Sequence, residues 1–173
     1  AAIPLLEDLD RVVGMLPAAR TTGALYVPET RRAEPSPLVV AGHGSVGLAD
    51  KCAPSREHPD GFTRDFRTQI YTLAGDGWVV LAPDFPGLGT PGITTWMVSS
   101  DEGRAMLDAT RAARQIAREG FFSDKNAIVG HSNGGAMALR LACEASDVFA
   151  AVFSLAGPFY DEGGMQACKP REP

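Results

Sequence analysis

The sequence has 173 residues, 45% of them hydrophobic, which suits one globular domain that can bury a core of its own. Sixteen Lys and Arg residues stand against 21 Asp and Glu residues, and the formal net charge of −5 leaves no basic surface of the kind that nucleic acids or anionic lipids require. No apolar run in the sequence approaches the roughly 20 residues that span a bilayer, so we expect no membrane span in it.

The first third of the sequence predicts one helix and two strands. Residues 4–16 place apolar side chains at the spacing of one helix face, with Pro4 suited to the first helical position. Residues 23–28 predict a short strand, followed by an exposed loop rich in Pro, Arg and Glu. The apolar run at 37–44 predicts a second strand that is buried in a sheet.

Strands and helices then alternate along the rest of the sequence. The patterns predict helices over about 63–74, from Ser99 to Gly120, and after Ser132, and strands at 78–85, 126–130 and 149–157. Ser99 and Glu102 have the spacing of a capping box at the start of the long helix. Such alternation is typical of an α/β fold, in which a mostly parallel sheet carries helices on both faces.

The sequence has three cysteines, Cys52, Cys143 and Cys168. Cys143 lies in an Ala- and Leu-rich helical stretch, where we expect a buried free thiol. Cys52 and Cys168 lie in polar, loop-like surroundings, so we expect a disulfide between them or from one of them to another chain. A disulfide would fit a secreted or periplasmic protein. The Ala-Ala start is what signal-peptide removal leaves, although a cloning choice gives the same start.

The segment GHSNGG at 130–135 carries the clearest chemical signal. It has the G-x-S-x-G form of a nucleophile elbow, and it lies between a predicted strand and a predicted helix, as that motif requires. Small residues at Gly130 and Gly134 would allow the strand and the helix to approach each other. We therefore expect Ser132 to be a catalytic nucleophile; the alternative is an exposed serine in an ordinary loop.

The segment AGHGS at 41–45 ends the second predicted strand and is suited to binding an oxyanion. Acyl-transfer enzymes stabilise the negative oxygen of the tetrahedral intermediate with backbone N–H groups. We expect one donor to be the N–H of Asn133, the residue after the nucleophile, and the other to be the N–H of Ser45 or, failing that, Gly44. His43 is expected to brace this loop rather than to act as a general base.

The loop that begins at Pro86 offers an apolar surface for substrate. Leu88, Ile93 and Trp96 lie near the carboxyl ends of the predicted strands, where open α/β sheets bind their ligands. Trp96 could equally be a packed anchor of the loop.

Several segments together resemble the α/β-hydrolase superfamily and, within it, the secreted lipase and esterase family related to fungal lipase A. They are YVPET, LVVAGHGSVGLADKCAPS, GWVVLAPDFPGLGTPG, SSDEGRAMLDATRAAR and VGHSNGGAMAL, and the resemblance covers about residues 23–158. It implies hydrolysis of a carboxylic ester through an acyl-serine intermediate, without a metal or an organic cofactor. On this resemblance Ser132 is the nucleophile, Asn133 and the loop at 43–45 supply the oxyanion donors, and Cys52 falls on a cysteine of the family.

The sequence departs from the superfamily pattern after the nucleophile. The triad of that superfamily runs in the order Ser, Asp or Glu, His, whereas no histidine follows Ser132 here. Asp161 and Glu162 come too early to be the acid. We therefore expect residues 1–173 to be a single incomplete α/β-hydrolase domain, either truncated or completed by a second polypeptide that carries the last strands with the Asp and the His. Use of His43 or His131 as the base would require a geometry that the elbow does not normally allow.

Two other functions remain open at this stage. A peptidase or amidase could use the same scaffold, because the triad chemistry is shared and only the pocket differs. A non-catalytic hydrolase-like binding protein could have kept the elbow and lost its base. Labelling of Ser132 by a fluorophosphonate would separate the enzymes from the binding protein, since an unactivated serine should not react.

Overall fold

The computed structural model describes residues 2–4, 21–29, 34–56, 64–158 and 168. Within these ranges the chain forms strands β1 (Ala2–Pro4), β2 (Gly23–Tyr26), β3 (Ser36–Gly42), β4 (Val79–Pro83), β5 (Phe122–His131) and β6 (Ala151–Leu155). The helices are α1 (Arg64–Gly75), α2 (Ser99–Ile116) and α3 (Asn133–Glu144), and a short 3₁₀ turn spans Asp50–Cys52. None of these helices has both the length and the apolar character needed to cross a membrane.

The strands form one sheet in the order β1-β2-β4-β3-β5-β6. Strands β4, β3, β5 and β6 are parallel to one another, whereas β1 and β2 add an antiparallel edge. Each step between consecutive parallel strands passes through a helix, because a parallel connection has to return the chain to the same end of the sheet. The predicted α/β fold with a mostly parallel sheet is confirmed.

Helices cover both faces of the sheet. On one face α1 packs Phe66 and Ile70 against alternate residues of the strands. On the other face α2 and α3 pack around a larger cluster, whose main members are Leu38, Val40, Leu81, Met106, Ile128, Met137 and Leu141. The strands are buried from both sides, which explains their nearly continuous apolar sequences.

The register of the central strands brings two loops together. β3 and β5 are neighbours, and Gly42 at the end of β3 is the partner of Gly130 near the end of β5. The segments that follow these two glycines therefore leave the sheet side by side. One is the loop beginning at His43 and the other is the turn containing Ser132.

β6 forms the last strand of the sheet within the described residues and is poorly covered. Val152, Phe153 and Leu155 are 36%, 61% and 45% exposed. An apolar edge strand exposed to this extent is unusual in a complete sheet, because it offers unpaired backbone groups and apolar area to other chains.

Two strands differ from the predictions made for the secondary structure. Pro4 ends strand β1 rather than starting a helix, and the remainder of the helix predicted for 4–16 lies outside the described residues. β5 begins at Phe122, four residues before the predicted strand, because Ser36 of β3 pairs with Phe122 across the sheet. The polar residues at the start of β5 hid this extension in the sequence.

The predicted capping box at the start of α2 is wrong. Ser99 is already the first helical residue, and the N-cap is Val98, which makes no side-chain hydrogen bond to the helix. The Glu102 carboxylate instead accepts a hydrogen bond from the backbone N–H of Met97, at 3.1 Å. The spacing of a capping box was present, but the helix starts one residue too early for Ser99 to act as its cap.

The predicted pairing of the cysteines is also wrong. Cys143 is bonded to Cys168, and Cys52 is a half-buried free thiol. Cys143 lies in the last turn of α3 and is only half-buried, unlike Leu141 in the core. A cysteine in this position can form a disulfide with a segment that follows the helix. The apolar composition of the helix did not indicate this.

Candidate active site

Ser132 occupies a sharp turn between β5 and α3. It has φ 52° and ψ −117°, a backbone conformation that residues with a side chain rarely adopt and that stores about 1–3 kcal/mol of strain. Its N–H donates to the carbonyl of Leu155 at 2.9 Å, and its carbonyl accepts from the N–H of Ala136 at 3.0 Å. The half-buried serine therefore sits in the strained strand-turn-helix geometry that its motif predicts.

Two glycines of the motif allow the helix to approach the sheet. A Cβ added at Gly130 would lie 2.1 Å from the carbonyl oxygen of Gly134, and a Cβ at Gly134 would lie 2.1 Å from the carbonyl oxygen of Gly42. No side chain fits at either position, so the first turn of α3 can pack onto β3 and β5 only with glycine there.

The loop after β3 lies against the turn that holds Ser132. A Cβ added at Gly44 would lie 3.4 Å from the Cβ of Ser132 and 3.2 Å from the Nδ1 atom of His131. The carbonyl of His43 accepts a hydrogen bond from the N–H of Gly134 at 3.0 Å, which ties this loop to α3. The structure thus brings Gly44 next to Ser132, with Ser45 following it at an exposed position.

Asn133 begins α3 directly after Ser132. The N–H of a residue in the first turn has no acceptor within its own helix, so the backbone N–H of Asn133 is available next to Ser132. The Asn133 side chain is 2% exposed, and its Nδ2 atom lies 3.0 Å from each carboxylate oxygen of Glu102. Its Oδ1 atom is buried and has no hydrogen-bond partner among the described residues.

Glu102 is a site residue that sequence reasoning did not identify. It is 0% exposed in the first turn of α2, where it contacts Asn133 and the backbone N–H of Met97. Burial raises its pKa to about 7, although the hydrogen bonds from Asn133 and Met97 favour the charged form. The interpretation of Glu102 as the partner of Ser99 in a capping box concealed the contact with Asn133.

His43 is buried beneath the loop, at 2% exposure, and packs on Phe85 with 4.2 Å between the ring centroids. Its Nδ1 atom donates to the carbonyl of Gly44 at 2.7 Å, while Nε2 is buried and makes no hydrogen bond within the described part of the chain. Burial lowers the pKa of His43, opposed by the Gly44 hydrogen bond and the charge of Asp84. This neutral, enclosed ring has the placement expected of a residue that braces the loop.

The loop from Pro86 to Val98 reaches the same end of the sheet. The indole N–H of Trp96 donates to the hydroxyl of Ser45 at 2.8 Å, and the hydroxyl of Thr94 donates to the carbonyl of Leu48 at 3.2 Å. Ile93 and Trp96 are 87% and 48% exposed, whereas Leu88 is 2% exposed and packs inside the loop. Of the three apolar side chains predicted to bind substrate, Ile93 and Trp96 are thus exposed and Leu88 is not.

The described residues do not supply a complete catalytic triad in the usual order. His131 is exposed on the turn, and Asp161, Glu162 and His58 lie outside the described residues. No group of three or more His, Cys, Asp or Glu side chains in the described ranges is arranged to hold a metal ion.

Comparisons with known proteins identify a family and several relatives of this chain. The Prolyl oligopeptidase family, Peptidase_S9, matches residues 64–167, which is more than half of the chain. A secreted triacylglycerol lipase of Malassezia globosa is 28% identical over 156 residues, which cover 86% of this chain and 32% of the lipase.

Solved structures give the same fold. A variant of the rice cell wall degrading esterase LipA from Xanthomonas oryzae aligns with a TM-score of 0.61 at 29% identity, covering 78% of this chain and 36% of the esterase. Candida antarctica lipase A in its closed state aligns with a TM-score of 0.60 at 16% identity, covering 87% of this chain and 39% of the lipase. The chain thus spans between a third and two fifths of the length of these proteins. It belongs to the prolyl oligopeptidase family and has the α/β-hydrolase fold that it shares with Candida antarctica lipase A and the Xanthomonas oryzae esterase.

Proposed function

We propose that these residues form the nucleophile-bearing part of a carboxylic-ester hydrolase, a lipase or esterase that works through an acyl-serine intermediate on Ser132. The observation that carries the proposal is the strained turn at Ser132, with Gly44 on one side and the N–H of Asn133 on the other. Nucleophiles of α/β-hydrolases are presented on such a turn, beside backbone donors from the loop after an earlier strand.

The mechanism follows from these positions. The Ser132 hydroxyl loses its proton to a histidine base and attacks the acyl carbon, so that the carbonyl oxygen becomes an oxyanion. The N–H groups of Asn133 and of Ser45, or alternatively Gly44, donate to that oxygen. The protonated base then gives its proton to the leaving alcohol, and water releases the acid from Ser132. These steps use side chains and backbone groups only, so the proposal includes no metal or organic cofactor.

The acid and the base of the triad are proposed to lie outside residues 1–173, on a second polypeptide that completes the sheet. This part of the proposal is supported by the exposed apolar side chains of β6 and by the greater length of the similar lipases and esterase. Cys168 is already bonded to Cys143, which leaves Cys52 as the cysteine that could link two polypeptides.

The substrate is proposed to carry an apolar acyl group. Ile93 and Trp96 present exposed apolar area, and Trp96 contacts Ser45. An acyl chain that covered these side chains would remove that area from water. Secretion, or export to the periplasm, is supported by the disulfide and by the similarity to a secreted lipase.

A peptidase or amidase is the second candidate function. It is favoured by the match to the Prolyl oligopeptidase family, whose name refers to peptide substrates. Rates with matched ester and amide substrates distinguish the two, because both share the serine chemistry and differ in the pocket and the leaving group. A preference for the amide would replace the esterase proposal.

The first experiment is intact-mass spectrometry of the full-length protein without reduction, before and after incubation with a fluorophosphonate. We expect a covalent adduct on Ser132 that is absent from the Ser132→Ala variant. An intact protein that takes no label would refute the catalytic proposal and favour a hydrolase-like binding protein.

The same spectra test the second polypeptide. Two masses, or one mass above the 18.3 kDa of these residues that splits on reduction, would support it. A single uncleaved chain that still reacts at Ser132 would place the Asp and the His on the same polypeptide as the nucleophile, and would refute this part of the proposal alone.

A further inference from the structure

Glu102 is buried among neutral hydrogen-bond donors. Its side chain is 0% exposed, and its two oxygens accept from the Nδ2 atom of Asn133 and the backbone N–H of Met97, at 3.0 and 3.1 Å. A carboxylate is expensive to bury unless a charged partner compensates it, and a neutral side chain could join these elements at lower cost. The placement of an acid here calls for a role that depends on its two strong acceptor oxygens.

The contact with Asn133 leads directly to the reaction centre. Asn133 follows Ser132 and starts α3, so any rotation of its backbone changes the direction of the N–H that faces the oxyanion. The amide of Asn133 is held at both carboxylate oxygens, while its own Oδ1 atom has no partner within the described ranges. Glu102 is therefore the group that fixes the orientation of this side chain.

We propose that Glu102 is a positioning residue, which holds Asn133 so that the backbone N–H of Asn133 points at the oxyanion. This inference rests on the proposed acyl-serine function of Ser132. Preorganised donors stabilise a transition state because they do not need to reorient when the charge develops. The buried carboxylate supplies that rigidity from α2, without touching the substrate itself.

The same carboxylate also binds the loop from Pro86 to Val98. Met97 has a positive φ of 64°, and its N–H is bound by Glu102. The preceding residue, Trp96, donates its indole N–H to the hydroxyl of Ser45. Glu102 thus contacts both Asn133 and the loop that carries Trp96, but the proposed role depends on the contact with Asn133.

The test compares an ester with the thionoester in which sulfur replaces the carbonyl oxygen. Sulfur accepts hydrogen bonds weakly, so oxyanion donors favour the ester much more than the thionoester. The variants of the full-length protein are Glu102→Gln, Asn133→Ala, and both together. Asp101→Asn is the matched control, because it removes the neighbouring acid from the same helical turn and leaves the contact with Asn133 intact.

We expect Glu102→Gln to lower kcat for the ester by about 10- to 100-fold with KM within about threefold, because a small misplacement near the reacting atoms has an effect of this size. The ratio of ester to thionoester kcat should fall by a similar factor. Asp101→Asn should leave the kcat for the ester and the ester-to-thionoester ratio unchanged. The double variant should be no slower than the slower single variant, since Glu102 acts through Asn133.

Three results would overturn the role of Glu102. They are an unchanged ester-to-thionoester ratio in Glu102→Gln, additive losses in the double variant, and a loss of activity that equals the fraction of unfolded protein at the assay temperature. The ratio keeps the test informative even when a variant is less stable, because unfolded molecules lower both rates equally. Failure of the unmodified protein to hydrolyse the ester would refute the proposed function as well.

Discussion

The backbone N–H of Gly134 donates to the carbonyl of His43 at 3.0 Å, and this bond joins the first turn of α3 to the loop after β3. The two segments are far apart in the sequence and meet because β3 and β5 are adjacent parallel strands, with Gly42 opposite Gly130. The proposed nucleophile and the proposed oxyanion loop are thereby held together by backbone contacts. Side chains at the glycines would break those contacts.

Substitution of Gly134 by Ala should destabilise the protein by about 3 kcal/mol or more, because the added Cβ meets backbone and overpacked sites of this kind relax poorly. The Cβ would lie 2.1 Å from the carbonyl oxygen of Gly42. Gly103→Ala is the control. Gly103 lies in the interior of α2, and its added Cβ would be 3.8 Å from the side chain of Leu141, an ordinary contact distance. That variant should gain about 0.5–1 kcal/mol. Urea unfolding of the two variants checks both values, and equal stability would contradict the close approach.

The strain at Ser132 should be visible in a pair of variants that both lack the hydroxyl. Ser132→Ala keeps a Cβ at φ 52°, whereas Ser132→Gly removes it. We expect Ser132→Gly to be more stable than Ser132→Ala by about 1 kcal/mol, although glycine normally lowers stability. Both should be unreactive towards a fluorophosphonate. Thermal unfolding gives the comparison, and a less stable glycine variant would show that the turn is not strained.

The stability of the protein should depend on the ionisation of Glu102. Burial raises its pKa in the folded protein from 4.5 to about 7, and the charge of Asp101 adds to this effect. A raised carboxyl pKa means that the folded state binds the proton more tightly than the unfolded state. The contribution of Glu102 to stability is therefore complete below about pH 4.5 and is lost as the pH rises to about 7.

The glutamine side chain in Glu102→Gln does not titrate. This variant therefore separates the contribution of Glu102 to the pH dependence of stability from that of other groups. We expect the Tm of Glu102→Gln to rise relative to the Tm of the unmodified protein between pH 5 and pH 8, measured at constant ionic strength. The Asp101→Asn variant serves as the reference for loss of one acidic charge on α2. A Tm difference that is independent of pH would show that Glu102 ionises normally.

The disulfide between Cys143 and Cys168 should contribute to stability. It closes a loop with a sequence separation of 25, for which chain entropy predicts about 3–4 kcal/mol. Replacing both Cys143 and Cys168 by Ser should lower the unfolding free energy by this order. Cys52→Ser is the control, because Cys52 is not bonded. If neither addition of a reductant nor the double substitution changed the midpoint of unfolding, the disulfide would not stabilise the folded protein.

Ile93 and Leu88 should behave in opposite ways. Ile93 is 87% exposed, so Ile93→Asp should leave the Tm unchanged and raise the KM for esters with long acyl chains. Leu88 is 2% exposed, so Leu88→Ala should lower stability by about 2–5 kcal/mol, as for other buried leucines. Kinetics with short- and long-chain esters, together with thermal unfolding, test the pair. An unchanged chain-length preference in Ile93→Asp would remove it from the proposed substrate surface.

Local sequence patterns were sufficient for most of the secondary structure and for the turn at Ser132. Apolar runs and helical spacing depend on what each segment buries, and the G-x-S-x-G motif marks one strand-turn-helix unit, in which Gly130 faces Gly134 while Gly134 faces Gly42 of β3. The start of α2 shows the limit of such patterns. The spacing of Ser99 and Glu102 was that of a capping box, yet the acid is used for Met97 and Asn133.

The sequence by itself determined the α/β class and the strand-turn-helix unit that contains Ser132, because these depend on residues close together in the chain. Only the tertiary structure decided that Glu102 contacts Asn133, 31 residues away, that Cys143 pairs with Cys168, and that Leu88 is buried while Ile93 is exposed. Each of these depends on which segments the sheet order and the helix packing bring together. That order results from the free energy of the whole core, which no single segment encodes.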